Sequence, residues 1–205
     1  MFRILGRRSS INVRKVLWTA AECGVPFAHE EEWGSERSLQ TAEFLALNPN
    51  GMVPVLVTEQ GALWESNAIC RFLARHARRA DLLPDEPFGA AEVEKWMDWQ
   101  AAELNPSWAA AFTALVRQQP RAPGQIQQSI ENWNRLMTRL EQHLAQSASF
   151  VVGDTFTLAD IVLGLSLQRW LLTPMARPST PALLAYRARL LERPAARAWV
   201  DPLVP

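Results

Sequence analysis

Two motifs that could bind a peptide lie close together in the sequence, within residues 48–69. The Val53-Pro54 pair follows a polar turn and opens a short apolar strand, and the tertiary amide of proline lowers the cost of a cis peptide bond. A cis bond there would turn the Val53 main chain outward, as an edge with which a peptide could pair. The Glu65-Ser66 pair stands at the predicted start of a helix, whose unpaired N–H groups and positive dipole end favour a bound carboxylate. Together the motifs predict a peptide-like ligand that carries both an amine and a carboxylate.

In this order and at this spacing, the two motifs resemble the thioredoxin-like N-terminal domain of the cytosolic glutathione transferases. In that family the residue before the cis proline pairs with the cysteinyl backbone of glutathione, and the acid–serine pair holds the γ-glutamyl end. The resemblance therefore implies that Val53, Pro54, Glu65 and Ser66 bind glutathione as a co-substrate. No metal is expected, because the three histidines are scattered without metal-ligand spacing.

A glutathione transferase must hold a thiol as its thiolate, although a free thiol titrates only near pH ~8.5. A hydroxyl hydrogen bond to the sulfur at a helix N-terminus favours the anion. The turn Arg8–Arg14 resembles the serine-type active-site turn of the theta, delta and zeta-like transferases. Aligned on Arg14, Ser10 falls on the catalytic serine of the delta-type pattern and Ser9 on that of the zeta-type pattern, while Asn12 replaces the delta-type proline. We expect Ser10 to be the thiolate donor, with Ser9 and Asn12 as alternatives and plain helix capping as the structural alternative for all three.

Two further residues are candidate contacts of glutathione. Met52 stands where many bacterial relatives carry a lysine that reaches the glycine carboxylate, so that end of the site offers no charge here. Asn50 or Gln40 could contribute instead. Trp33 lies in a predicted loop that could cover the peptide, with ordinary packing as the alternative.

The hydrophobic pattern predicts two domains. The first is a thioredoxin-like α/β domain over residues 1–78, with the element order βαβ-α-ββα. A proline-rich, acidic segment at residues 79–87 is typical of a linker, and the remaining residues 88–205 show only helical patterns, which predicts an all-α domain. The first long helix of that domain, Phe88 to Arg117, is expected to bend near Asn105-Pro106, because proline cannot donate inside a helix.

The start of a later helix is marked by a capping box. Thr157 is placed as N-cap and Asp160 at N3, with Phe156 and Ile161 at the hydrophobic-staple positions. We expect a structural role for Asp160, and a catalytic carboxylate is the alternative. The box also resembles the one in the C-terminal helical domain of the glutathione transferases.

Composition limits the classes of function. Lys plus Arg and Asp plus Glu number 21 each, so the chain lacks the basic field that nucleic-acid binding requires. No signal peptide is recognised, and the apolar stretch Leu158–Leu172 is interrupted by Asp160, Gln168 and Arg169, which predicts no membrane span. The two cysteines form no C-x-x-C pair. A soluble cytoplasmic protein is expected.

The resemblance implies a cytoplasmic glutathione transferase of detoxification, which adds the thiolate to a small apolar electrophile. Trp108, Phe112 and Leu115 could line the pocket for that electrophile. A homodimer is implied as well, with the helix from Ser66 and the first long helix of the second domain at its interface. Two alternatives remain open. One is glutathione-dependent disulfide or peroxide reduction, and the other is a non-catalytic module for ligand binding or protein interaction.

Overall fold

The computed structural model of the protein describes residues 1–146 and 149–200. The chain divides into two compact units, Met1–Asp85 and Glu86–Pro205. The point of division falls within the segment 79–87 that was predicted as a linker.

The first unit is a four-stranded mixed sheet with three helices. Its elements are β1 (Phe2–Leu5), α1 (Ile11–Glu22), β2 (Phe27–Glu30), α2 (Ala42–Leu47), β3 (Val55–Thr58), β4 (Gly61–Trp64) and α3 (Ser66–His76). The strand order is β2-β1-β3-β4, in which only β1 and β2 run parallel. Helices α1 and α3 pack together, and the Thr19 hydroxyl on α1 donates to Cys70 Sγ on α3 over 3.2 Å. The thioredoxin-like domain and its predicted element order are confirmed.

The segment predicted as a linker is anchored to the first unit rather than free. Leu82 and Leu83 are fully buried. Arg79 forms an ion pair with Asp81 at 2.6 Å and donates to the Glu22 carbonyl at the end of α1. The segment therefore holds two buried leucines among its prolines and acids, and Arg79 ties it to the end of α1.

The second unit is helical throughout its described regular structure. It comprises α4 (Pro87–Trp99), a π-helical turn (Gln100–Leu104), α5 (Asn105–Leu115), α6 (Pro123–Gln146), α7 (Leu158–Leu172), α8 (Pro181–Leu191) and α9 (Pro194–Val200). Helix α7 lies at the centre, with all but its last two residues buried. The all-α domain is confirmed.

The predicted bend near Pro106 takes the form of the π-helical turn. Pro106 has no N–H to donate, and the Asn105 N–H bonds instead to the Gln100 carbonyl, five residues back. The buried Gln100 side chain then donates to Asn105 Oδ1 at 2.8 Å and to Ser166 Oγ on α7 at 3.0 Å. The irregular turn is thus fixed by a buried hydrogen-bond network.

The capping box at the start of α7 is present as predicted. The Thr157 N–H donates to Asp160 Oδ2 over 2.8 Å. The other carboxylate oxygen accepts from the Val151 N–H at 3.0 Å and the Tyr186 hydroxyl at 2.9 Å. Burial raises the pKa of Asp160 to about 6, against the opposing effect of these donors. Asp160 is completely buried, and its hydrogen bonds are those that the predicted structural role requires.

Neither a membrane span nor a metal cluster is found in the described part of the chain. None of its helices is both long enough and apolar enough to cross a bilayer. Nor does it bring three or more His, Cys, Asp or Glu side chains into a group suited to a metal ion.

Candidate active site

Most of the predicted ligand-binding residues meet in one cavity of the first unit. The cavity has a volume of about 160 Å³. Its walls include Asn12, Met52, Val53, Pro54, Glu65 and Ser66, together with Asn48 and Asn50. Residues from the start of α1, the loop before β3 and the start of α3 are therefore brought together, as a peptide site requires.

The loop before β3 is fixed by Asn48. This buried side chain donates from Nδ2 to the Met52 carbonyl at 2.7 Å and accepts the Asn50 N–H at 3.0 Å. Gly51 adopts a φ of 60°, and a Cβ there would lie 2.7 Å from Gln40 Nε2. Asn48 was not singled out from the sequence, although an asparagine two residues before a turn residue is a known side-chain turn signal. These hydrogen bonds set the direction of the chain entering Val53.

The Val53–Pro54 peptide bond is cis, as predicted. Val55 follows at once as the first residue of β3 and pairs with Leu5 of β1 in the middle of the sheet. The main chain of Val53 is therefore held at the end of a central strand and in the wall of the cavity.

Gly6 brings the turn after β1 against Val53. Its φ is 139°, and a Cβ at this position would lie 2.6 Å from Val13 Cγ2 and 2.8 Å from Val53 Cβ. No larger residue fits without displacing helix α1 or the cis-proline loop. Gly6 was missed in the sequence because a glycine after a strand is typical of any turn.

The three candidate thiolate donors occupy different positions. Ser10 is the N-cap residue of α1, yet its side chain makes no capping hydrogen bond. The Ser10 hydroxyl therefore does not cap the helix. Ser9 is exposed. Neither serine is among the residues of the cavity wall, whereas Asn12 is. Within the described residues, the buried Asn12 Oδ1 has no hydrogen-bond partner.

Glu65 has a strained backbone at the start of α3. Its φ of 69° and ψ of 109° are uncommon for a residue with a side chain, and such conformations cost about 1–3 kcal/mol each. The Glu65 side chain makes no capping bond, and Ser66 is buried beside it. Glu65 and Ser66 both line the cavity, and they stand at the positive end of the α3 helix dipole.

Trp33 is not among the residues that line the cavity, and its surroundings are those of the packing alternative. It is 1% exposed and packs on Phe44 at a ring distance of 5.0 Å. Its indole N–H donates to Glu30 Oε2 at 3.0 Å, and the Arg37 guanidinium stacks on its ring at 3.6 Å. The side chain belongs to a buried core cluster with Leu5, Phe44 and Val55.

Comparison with known proteins agrees with this geometry. Residues 9–76 match the family model for the N-terminal domain of glutathione S-transferase, and residues 123–201 match that for its C-terminal domain. Glutathione S-transferase GstB of Escherichia coli K12 is 35% identical over 207 residues, which cover 98% of each chain. The crystal structure of a theta-class glutathione S-transferase from Xanthomonas axonopodis pv. citri, with glutathione bound, superposes with a TM-score of 0.92 at 37% identity, covering 100% of this chain and 99% of that one.

A more distant group of relatives is longer. Elongation factor 1-gamma 3 of Oryza sativa subsp. japonica is 34% identical over 152 residues, which are 74% of this chain but 36% of that protein. The fold defines a protein with a thioredoxin-like first unit and an all-helical second unit. The chain belongs to the glutathione S-transferase family, and the prediction of a glutathione transferase is confirmed.

Proposed function

We propose that this protein conjugates the thiolate of glutathione to small apolar electrophiles, with glutathione held in the cavity of the first unit. The observation that carries the proposal is the meeting of the cis-proline loop and the start of α3 in that single cavity. In this arrangement the Val53 main chain pairs with the cysteinyl backbone. The γ-glutamyl carboxylate binds the Ser66 hydroxyl and the amides of α3, and Glu65 accepts from the ammonium group.

Ser10 is the proposed donor to the sulfur. Its hydroxyl is not used for capping, and it stands at the N-terminus of a 12-residue helix, where the dipole also favours an anion. Lowering the thiol pKa by about two pH units needs roughly 2.7 kcal/mol, which one hydrogen bond to a charged group and the dipole can supply. Asn12 presents a buried acceptor oxygen, which suits an N–H of the bound peptide better than a thiolate. Ser9 remains the second alternative.

The electrophile is proposed to contact Trp108 of the second unit. Trp108 is half-buried and lies edge-to-face with Phe112 at a ring distance of 5.4 Å. The Arg169 guanidinium lies over both rings, 4.1 Å from that of Phe112 and 4.7 Å from that of Trp108. Phe112 is buried and Trp108 is only partly so, which makes Trp108 the more accessible of these two aromatic side chains. An apolar, aromatic surface of this kind binds an apolar substrate.

Thiol chemistry on the protein itself is disfavoured. Burial raises the pKa of both Cys23 and Cys70 to about 11, so neither thiol is ionised at neutral pH. Neither cysteine lines the cavity. These observations favour conjugation over disulfide reduction through a protein mixed disulfide, and the intact cavity favours an enzyme over a pure interaction module.

We also propose a cytoplasmic homodimer that acts in detoxification. Strand β4 is one of the two edge strands of the sheet, and its Leu63 and Trp64 are 36% and 41% exposed. Apolar side chains on an open edge next to α3 are a suitable surface for a second copy of the chain.

The function is tested by titrating glutathione into the protein and assaying an aryl halide panel. One glutathione should bind per chain, and Ser66→Ala should weaken binding by about tenfold through loss of a hydrogen bond to a charged group. Ser179→Ala, an exposed serine of the second unit outside the cavity, is the matched control and should bind normally. Absence of glutathione binding by the folded wild-type protein would overturn the proposal.

A further inference from the structure

The wall of the candidate active site holds no positively charged side chain for a bound anion. Of the described residues that line this cavity, none is a lysine, arginine or histidine, and the one ionisable side chain is that of Glu65. Glutathione carries two carboxylates, one at its γ-glutamyl end and one at its glycyl end. The wall of the cavity therefore forms no direct ion pair with either carboxylate.

The two carboxylates differ in what the cavity offers them instead of a cation. In the proposed function the γ-glutamyl carboxylate binds Ser66 at the positive end of the α3 dipole, and the cysteinyl backbone pairs with Val53. These assignments leave the loop residues Asn48, Asn50 and Met52 as the wall beside the glycyl end. Helix α2 ends at Asn48, and the C-terminus of a helix carries the negative end of its dipole. Met52 is uncharged and 57% exposed, so this part of the wall gives an anion no stabilising partner.

The polar side chains of this loop bond to the loop itself. Asn48 donates from Nδ2 to the Met52 carbonyl at 2.7 Å, and its Oδ1 accepts the main-chain N–H and the Nδ2 group of Asn50, each at 3.0 Å. Asn12 adds an acceptor to the same cavity wall, because its buried Oδ1 has no hydrogen-bond partner in the described part of the chain. An acceptor oxygen binds a ligand N–H but not a carboxylate. The unpaired polar atom of the wall thus favours the amides of the peptide over its C-terminal charge.

The segment before this loop does not supply the missing positive charge. Arg37 is the one basic residue between positions 31 and 53. Its guanidinium stacks on Trp33 at 3.6 Å and forms an ion pair with Glu43 at 2.9 Å, so its charge already has a partner. Gln40, whose Nε2 would lie 2.7 Å from a Cβ at Gly51, is a neutral amide that hydrogen-bonds a carboxylate or a carboxamide.

We propose, on the basis of the proposed function, that this site recognises γ-glutamylcysteinyl peptides whether or not their C-terminus is charged. Its thiol co-substrates then include peptides that end in a neutral amide. Selectivity comes from the γ-glutamyl group and the cysteinyl backbone, which are bound by Glu65, Ser66 and Val53. The glycyl end contacts Met52 and forms no ion pair.

The test compares glutathione with its glycinamide, γ-glutamylcysteinylglycinamide, by isothermal titration calorimetry at pH 7. The wild-type protein should bind the two peptides with dissociation constants within about twofold of each other, because no ion pair is lost with the carboxylate. Their kcat/KM values with one aryl halide should agree to within about twofold for the same reason. Cysteinylglycine keeps the free carboxylate but lacks the γ-glutamyl group, and it should bind at least about tenfold more weakly than glutathione.

The variant Met52→Lys supplies the charge that the loop lacks. It should bind glutathione about fivefold more tightly than the glycinamide, the size of effect expected for one exposed ion pair. Met52→Gln places a neutral side chain of similar length at the same position, and it should keep the wild-type ratio of the two affinities. Leu184→Lys adds a charge at an exposed position of the second unit and should also keep that ratio.

Three results would overturn the inference. If the wild-type protein binds glutathione at least about fivefold more tightly than the glycinamide, the glycyl carboxylate has a partner in the protein, while the proposed function stands. If Met52→Lys shows no preference for glutathione over the glycinamide, the glycyl end does not lie at Met52. If the folded wild-type protein binds neither peptide, the proposed function fails together with the inference.

Discussion

Replacing Asp160 by alanine tests the buried polar network that begins helix α7. Four donors converge on this carboxylate, namely the Val151 N–H, the N–H and the hydroxyl of Thr157, and the Tyr186 hydroxyl. In the Asp160→Ala variant the Thr157 hydroxyl is free to rotate, whereas the other three donors lose their acceptor in a completely buried place. A buried donor left without a partner costs about 1–3 kcal/mol.

The free energy lost with these three hydrogen bonds is partly offset, because the variant no longer buries a charged carboxylate. Burial raises the pKa of Asp160 from its usual 3.8 to about 6. At 1.36 kcal/mol per pH unit, this rise corresponds to about 3 kcal/mol of cost for ionising the folded protein at neutral pH. Three lost acceptors at about 2 kcal/mol each, less this amount, leave a destabilisation of about 3 kcal/mol at pH 7. Capping alone would give only about 1–2 kcal/mol.

The sign of the pH dependence follows from the same pKa. Between pH 4 and pH 6 the folded wild-type protein holds a proton on Asp160 that the unfolded chain has released. The stability of the wild type relative to the variant should therefore be largest at about pH 4. It should fall by about 3 kcal/mol as the pH rises through 6 and then remain constant.

Urea denaturation followed by circular dichroism at several pH values measures this difference. Asp154→Ala, an exposed acid six residues earlier, is the control and should change stability by less than about 0.5 kcal/mol. Tyr186→Phe should destabilise the wild-type protein by about 1.5 kcal/mol. The same substitution should hardly change the stability of the Asp160→Ala variant, because Tyr186 and Asp160 are the donor and acceptor of one hydrogen bond. Unchanged stability combined with lost turnover would refute the structural role and make Asp160 catalytic.

Two further predictions concern the packing of the site and the assembly of the chain. Gly6→Ala should destabilise the protein by about 2–4 kcal/mol and weaken glutathione binding, because its Cβ would overlap Val13 and Val53. Gly124→Ala, which meets no atom within 4 Å, should be neutral or slightly stabilising in urea denaturation, and equal effects of the two variants would contradict the packing argument. Analytical ultracentrifugation at micromolar concentration should show a dimer, and Trp64→Arg should weaken it. Leu184→Arg, at another exposed apolar position, should leave the dimer unchanged. A monomeric wild-type protein would contradict the proposed homodimer.

The sequence predicted the fold well, because the apolar residues of both domains recur at regular helix and strand spacings. The apolar spacing along α1 and the alternation around the β3–β4 hairpin each specify one element, and the capping box of α7 specifies a boundary. The order of these elements then indicates the architecture. The sequence predicted a bend near Pro106 but not its π-helical form. That form depends on the hydrogen bonds of Gln100 with Asn105 and with Ser166 on α7.

The site was predicted where it depends on short motifs and missed where it depends on distant contacts. Val53-Pro54 and Glu65-Ser66 are local signals, and both line the cavity. The fit of Gly6 against Val53 joins residues 47 positions apart, and the burial of Trp33 depends on its packing against Phe44. No local pattern encodes these contacts, which arise only once the chain has folded.

The pKa of the glutathione thiol in the binary complex is the most direct test of the central claim. It is measured from the thiolate absorbance of bound glutathione against pH, for the wild type and for Ser10→Ala, Ser9→Ala and Asn12→Ala. Ser10→Ala should raise this pKa by about one to two pH units and lower turnover at neutral pH by about 10–100-fold, while glutathione affinity stays within about a few-fold. The other two variants should change the pKa much less. A raised pKa in Ser9→Ala or Asn12→Ala with none in Ser10→Ala would contradict the assignment of Ser10, and no change in any of the three would contradict thiolate stabilisation by this turn.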